Sequence, residues 1–170
     1  LAAVLPPDFR IVSAGEGADV AAARQNVGFL HRRSGAADHY LVANVSGHAY
    51  PLRVQLGAGH RAPHRWDAVT GLQSALAYEY VSSGGRKVTE VEVRLDPFQS
   101  CFVVFGASAA PPLVVRTPFA GPFQHSASEI VGRLGAGEHE LLLGTKTSRR
   151  LVVERLPPAV AVEGGFTLRL

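Results

Sequence analysis

Histidine and carboxylate side chains are the groups of this 170-residue chain that could bind a metal or transfer protons. His60 and His64 are four residues apart, the spacing that places two imidazoles on one face of a helix. Pro63 lies between them, and Gly57 and Gly59 precede them, so a helix is not expected here. Without a helix the spacing has no geometric meaning, and we predict no metal site.

The chain has two pairs of glutamates in which the members are two residues apart, Glu90 with Glu92 and Glu138 with Glu140. Glycoside hydrolysis needs two carboxyl groups on opposite sides of a sugar, whereas residues two apart in a strand share one face. Each pair therefore indicates a solvated strand face. The chain has no G-x-S-x-G pattern, and Cys101 lies in an apolar run typical of a small buried side chain. We predict no catalytic residue.

The candidates for contact with carbohydrate or with a neighbouring domain are His31, Arg32, Arg33, Trp66 and Asp67. Strand interiors seldom hold a histidine and two arginines in a row. Either the strand end emerges into solvent, or one arginine reaches a carboxylate of a neighbouring domain or its substrate. Trp66 is the single tryptophan. It could stack on a sugar ring or seal a domain interface.

Composition excludes several classes of protein. A hydrophobic share of 46% and a charged share of 18% are typical of a folded core. The net charge of +3 is spread without a run of four basic residues, so we expect no nucleic-acid partner. No apolar stretch approaches the roughly 18 residues that cross a bilayer, so no membrane partner is expected. One cysteine allows no internal disulfide.

Short strands are the elements that must position these residues. Residues 27–46 predict two extended segments around Gly35, apolar on both faces, as in strands covered on two sides or central in a sheet. Residues 82–85 predict a hairpin turn before a strictly alternating strand. A short helical turn is predicted only at residues 18–24. About ten strands with regular turns predict an all-β fold, an antiparallel β-sandwich of the jelly-roll or Ig-like kind.

Changes of composition suggest four segments. We predict a tail or linker at 1–25, a sandwich core at 26–106, further strands that complete or extend it at 107–157, and the start of a new unit at 158–170. The chain begins with Leu1, contains no methionine and ends in mid-alternation. We therefore expect a piece of a longer polypeptide.

Four motifs occur in an order that resembles one enzyme family. Residues 29–44, FLHRRSGAADHYLVAN, resemble the F-x-H-R-R-x-G-x-A-D-x-Y-F-V-x-N stretch of glycoside hydrolase family 106, the bacterial α-L-rhamnosidase-like enzymes. Residues 65–71 resemble its W-D-P-x-T-G turn, and 95–105 its L-x-P-x-x-S-x-F-V-V-F strand. Residues 156–168 are similar to its passage into the next sandwich, usually written G-P-W, although Gly165-Phe166 stands here instead.

The resemblance implies a non-catalytic accessory region that supports the catalytic domain in plant or microbial polysaccharide breakdown. It makes residues 1–25 a linker from an upstream domain, and residues 158–170 the truncated start of another, sugar-binding-like sandwich. It places the catalytic carboxylates and any calcium in an upstream barrel, so no cofactor is expected in this chain. The implied partner is the catalytic domain of the same polypeptide, and the implied location is periplasmic or extracellular. An autonomous carbohydrate-binding module and a structural spacer remain alternatives. Core-like alternation of Phe29, Tyr40, Phe102 and Phe105 favours the scaffold over the binding module.

Overall fold

Apart from one short helix, the regular elements of the computed structural model are antiparallel strands. The structure describes residues 8–15, 19–106, 114–119, 121–125, 129–144 and 147–158. The elements in chain order are β1 (Phe9–Ser13), α1 (Val20–Asn26), β2 (Val27–Ser34), β3 (Ala37–Asn44), β4 (Tyr50–Leu56), β5 (Pro63–Asp67), β6 (Gln73–Ala75), β7 (Tyr78–Ser83), β8 (Arg86–Leu95), β9 (Ser100–Phe105), β10 (Val114–Arg116), β11 (Gln124–His125), β12 (Ile130–Val131), β13 (Gly137–Leu143) and β14 (Ser148–Val153).

Two sheets form the main body, a four-stranded sheet in the order β1-β4-β8-β7 and a five-stranded sheet in the order β2-β3-β9-β5-β6. Strict alternation in β4 and β8 buries every second side chain, as in Val54 and Val91. Tyr40, Val42 and Phe105 are buried from the five-stranded sheet and join the same core. Each fully buried aliphatic side chain stabilises the fold by about 1.5–3 kcal/mol. The all-β antiparallel sandwich predicted from sequence is confirmed.

Strand β2 differs from its prediction. Its apolar residues suggested a strand covered on two sides, but among the described strands β2 pairs with β3 alone and lies at the edge of its sheet. Leu30 is 64% exposed and Phe29 is 47% exposed, although Phe29 stacks on Phe9 with ring centroids 4.4 Å apart. The alternation of apolar residues along a strand indicates which of them share a face. It does not indicate how many other strands pair with it.

The N-terminal segment also departs from expectation. Residues 9–13 fall in the predicted linker, yet they form β1 and pair with β4, and Phe9 and Ile11 enter the core. Helix α1 begins two residues later than predicted. Asp19 caps it by accepting a 2.7 Å hydrogen bond from the Ala21 amide. In the described part of the chain, no helix is long and apolar enough to cross a bilayer.

Strands β10, β13 and β14 form a further sheet beyond the main body, and β11 pairs with β12. A second cluster of buried residues comprises Ala77, Val114, Phe123 and Leu141. A β-bridge between Ala75 and Phe123 joins this region to β6. Residues 107–113, which follow the predicted boundary after residue 106, lie outside the described residues, as does nearly all of the predicted unit at 158–170.

Candidate functional site

Strand alternation divides the consecutive residues His31, Arg32 and Arg33 between the two faces of the five-stranded sheet. His31 pairs in register with buried Tyr40, so His31 and Arg33 belong to the inner face. Arg32 pairs with His39 on the opposite, outer face. Because side chains of a strand alternate with period two, the three residues do not form one site.

The inner-face residues converge on Asp38, whose side chain is 1% exposed. His31 Nε2 lies 2.6 Å from Asp38 Oδ1, and Arg33 Nε donates to the same oxygen at 3.1 Å. Arg61 donates to Asp38 Oδ2. The other ring nitrogen of His31 contacts Asp8, which immediately precedes β1 of the opposite sheet. These five residues, here called the Asp38 cluster, therefore connect the two sheets.

Arg61 holds the cluster to the surrounding backbone. Its Nε donates to the Ala58 carbonyl at 2.8 Å, and its Nη1 donates to the carbonyls of Ala36 at 2.7 Å and Gly106 at 3.2 Å. Burial, followed by the nearby charge of Arg33, lowers the pKa of Arg61. Sequence reasoning missed Arg61 because it lies in a turn 23 residues from Asp38.

Tyr40 packs against the Asp38 cluster from the inner face of the sheet. Its ring stacks on His31 with centroids 4.1 Å apart, and its hydroxyl is buried without a hydrogen-bond partner among the described residues. Burial raises the pKa of Tyr40, and the nearby negative charge of Asp8 raises it further. Since two arginines compensate the Asp38 charge and Tyr40 stays neutral, this arrangement is suited to holding the fold rather than to proton transfer.

The outer face of the five-stranded sheet presents two rows of side chains in register. We define this surface, called the outer face below, by Leu30, Leu41, Phe102 and Trp66 in one row and Arg32, His39, Val104 and His64 in the other. Val104 is buried, Leu41, Phe102 and Trp66 are half-buried, and Leu30 and Arg32 are exposed. The edge of His39 meets Trp66 with ring centroids 6.2 Å apart. Arg32 and Trp66 thus share one mixed apolar and basic surface.

Asp67 does not share that surface, although it follows Trp66 in sequence. Its Oδ1 accepts hydrogen bonds from the Val69 amide at 3.0 Å and from the Thr70 amide and hydroxyl at 2.7 and 2.9 Å. The Thr70 contacts, then that of Val69, lower the pKa of Asp67. Gly71 completes the turn with φ of +70°. The W-D-x-x-T-G pattern therefore has a structural explanation in this turn.

Glu90 and Glu92 do not form the solvated face predicted for them. Glu90 accepts hydrogen bonds from Arg53 at 2.8 Å and Gln55 at 2.9 Å. Glu92 accepts one from the Thr117 amide at 3.3 Å, because the segment after β10 lies against this part of β8. Burial raises the pKa of Glu92. The prediction of a solvated strand face was wrong, because the alternation of β8 does not show that a segment distant in sequence covers it.

The remaining candidates are explained by packing. His60 stacks on Tyr80 with centroids 4.7 Å apart, whereas His64 lies on the outer face. No group of three potential metal ligands occurs among the described residues. Cys101 is buried, and burial raises the pKa of its thiol. Glu138 and Glu140 are exposed, as predicted.

Comparison with known proteins shows a structural likeness to a glycoside hydrolase. No family model matches the chain, and no curated protein matches it. The fold is similar to part of a rhamnosidase from Novosphingobium sp. PP1Y, with a TM-score of 0.51 and 23% sequence identity. The likeness covers 80% of this chain and 15% of that chain. At this identity the comparison shows that the chain has the fold of a small part of a much longer rhamnosidase.

Proposed function

We propose that this chain is a non-catalytic accessory β-sandwich of an α-L-rhamnosidase-like glycoside hydrolase of family 106, and that it supports the catalytic domain. Four motifs in the family's order and the fold likeness to a rhamnosidase segment support the proposal. The observation that carries it is the Asp38 cluster. The ionic residues of the family-like motif contact one another inside the sandwich, which is the arrangement of a scaffold.

The outer face is the surface proposed to pack on the catalytic domain. A sheet face that combines Leu30, Phe102 and Trp66 with the basic Arg32 resembles the aromatic and arginine-rich centre of protein interfaces. Under this proposal Arg32 faces a carboxylate of the catalytic domain. The catalytic residues and any calcium belong to that domain, and its substrates imply a periplasmic or extracellular location.

A second candidate function follows from the position of Trp66. An indole on an open sheet face, beside Phe102 and Leu41, offers an apolar plane on which a sugar ring could stack. The chain would then act as an autonomous carbohydrate-binding module. This candidate needs no contact with a catalytic domain, so the two functions can be separated by experiment.

Hydrolysis of an aryl α-L-rhamnoside tests the first proposal. We would compare the 170-residue chain with the polypeptide encoded by the whole surrounding reading frame. The proposal predicts hydrolysis by the longer polypeptide and none by the 170-residue chain. Hydrolysis by the 170-residue chain, or a longer polypeptide inactive on rhamnosides, would contradict it.

Calorimetric titration of the 170-residue chain with a rhamnose-containing polysaccharide tests the second candidate. Saturable binding that Trp66→Ala abolishes would favour the binding module. The matched control is Leu72→Ala, which removes an exposed apolar side chain in the turn that follows β5. Absence of binding by the wild-type chain would exclude this candidate.

A further inference from the structure

A cavity of about 710 Å³ is bounded by both sheets and by residues 116–119 and 121–123. Leu76, Phe119 and Phe123 line its apolar part, and the rings of the two phenylalanines lie 5.5 Å apart. Sites for small organic molecules are typically clefts of about 300–1,000 Å³ that combine an apolar wall with a few polar groups. The size and lining of this cavity match that class.

Three of the four arginines that line the cavity have carboxylate partners. Arg53 Nε lies 2.8 Å from Glu90 Oε1, and Arg53 Nη1 lies 3.5 Å from Glu92 Oε1. Arg94 lies 3.5 Å from Asp96, and Arg116 lies 3.8 Å from Glu92. These charges are compensated within the protein.

Arg65 is the exception among the described arginines of the cavity wall. Its backbone pairs with Val103 and Ser74, which places it on the inner face of β5. No described carboxylate lies within ion-pair distance, and Nε and Nη2 are buried without a hydrogen-bond partner among the described residues. The nearby Asp67 carboxylate is engaged in the turn by Thr70. Arg65 is half-buried, and its charge contributes to the lowered pKa of Asp67. Its two buried N–H groups still have no acceptor among the described residues, and an unsatisfied buried donor is costly to stability.

We propose that this cavity binds a small organic carboxylate, and that Arg65 supplies the compensating charge. The planar guanidinium matches a carboxylate in shape as well as in charge. The apolar wall formed with Phe119 and Phe123 receives the body of the ligand. This inference concerns the interior of the sandwich and does not depend on the proposed accessory role.

Isothermal titration calorimetry on the 170-residue chain tests the proposal with matched pairs of probes. D-galacturonate is compared with neutral D-galactose, and benzoate with neutral benzyl alcohol. We expect saturable binding of at least one acid and none of its neutral counterpart. The acid that binds identifies the body of the ligand as a sugar or an aromatic ring.

The variant Arg65→Met keeps most of the side-chain volume and removes the charge. We expect it to weaken binding of the acid by about tenfold or more, because a charge-assisted contact is lost. We also expect its melting temperature without ligand to equal or exceed that of the wild type, because two buried N–H groups without a described acceptor are gone. Arg150→Ala, which removes an exposed arginine outside the cavity that is paired with Glu138, should keep the affinity within a few-fold.

Three outcomes would overturn the proposal. The first is no saturable binding of either acid by the folded wild-type chain. The second is equal binding of an acid and its neutral counterpart. The third is unchanged affinity in a folded Arg65→Met variant. A fall in melting temperature for Arg65→Met would show that Arg65 is compensated already in the absence of ligand, and it would also count against the proposal.

Discussion

The two faces of the five-stranded sheet carry residues of the same motif and have different roles. On the inner face, His31 and Arg33 meet Asp38, which is almost completely buried. On the outer face, Arg32 and Leu30 are exposed and lie in rows with aromatic side chains. A run of consecutive residues that looks like one site in the sequence is therefore two sets, one that holds the fold and one that is free to meet a partner.

Neighbouring residues of a family-like motif in a strand do not share one environment. Alternate positions of such a motif have different surroundings, with buried ionic contacts on one face and partial or full exposure to solvent on the other. The residues that attract attention by charge are not all functional. Here Arg32 and Trp66 remain candidates for binding, whereas His31, Arg33 and Asp67 have structural partners.

The largest expected difference between the faces comes from two phenylalanines of β9. Phe105 is fully buried on the inner face, and Phe102 is half-buried on the outer face. Phe105→Ala should lower the free energy of unfolding by about 3–5 kcal/mol through loss of burial and a residual cavity. Phe102→Ala should cost clearly less. Urea unfolding of both variants measures the difference, and equal losses would contradict the assignment of faces.

Asp38→Asn should break the ionic cluster on the inner face. Removal of its charge leaves Arg61 and Arg33 without their counter-ion, which should cost about 3 kcal/mol of unfolding free energy. Arg32→Ala is the matched control from the outer face, and its effect should stay within about 0.5 kcal/mol. If Asp38→Asn unfolds at the same urea concentration as the wild type, the cluster does not hold the sheets together.

Glu92 offers a smaller and pH-dependent test on the other sheet. Burial raises its pKa above the ordinary 4.5, so the folded chain binds this proton more tightly than the unfolded chain. Its contribution is present below about pH 4.5 and is lost as the pH rises through the raised folded pKa. Glu92→Gln should therefore remove part of the fall in unfolding free energy over that interval.

Chemical denaturation at a series of pH values from 4 to 7 measures this contribution. The matched control is Glu138→Gln, because the Glu138 side chain is 64% exposed. The control should follow the wild-type pH dependence. A Glu92→Gln profile parallel to that of the wild type would contradict the account of its burial.

Local patterns predicted the elements better than their arrangement. The alternation of Thr89, Val91, Val93 and Leu95 correctly identified the buried face of β8. The turn predicted at residues 82–85 is formed by Gly84 and Gly85, both at positive φ, between β7 and β8. These features depend on neighbours in sequence. The edge position of β2 depends on which strands pair, and this is decided by contacts far along the chain.

The candidate site also depends on contacts between residues far apart in the sequence. Sequence reasoning selected Arg32 and Trp66 without knowing that they share a face, because their rows are assembled through β3 and β9. It missed the roles of Asp38 and Arg61, which meet across 23 residues. The buried N–H groups of Arg65 that lack an acceptor among the described residues were equally hidden, since a missing partner can be recognised only once the surrounding residues are in place.

We propose that the outer face, and not the Asp38 cluster, contacts the catalytic domain. The most direct measurement is kcat/KM for an aryl α-L-rhamnoside in the full-length polypeptide, with Arg32→Ala and Trp66→Ala combined and Arg33→Ala as the inner-face comparison. The account predicts a loss of about tenfold or more for the outer-face variant, because a misplaced domain disturbs substrate positioning, and no change for Arg33→Ala. An unchanged kcat/KM in the outer-face variant, or an equal loss in Arg33→Ala, would contradict it.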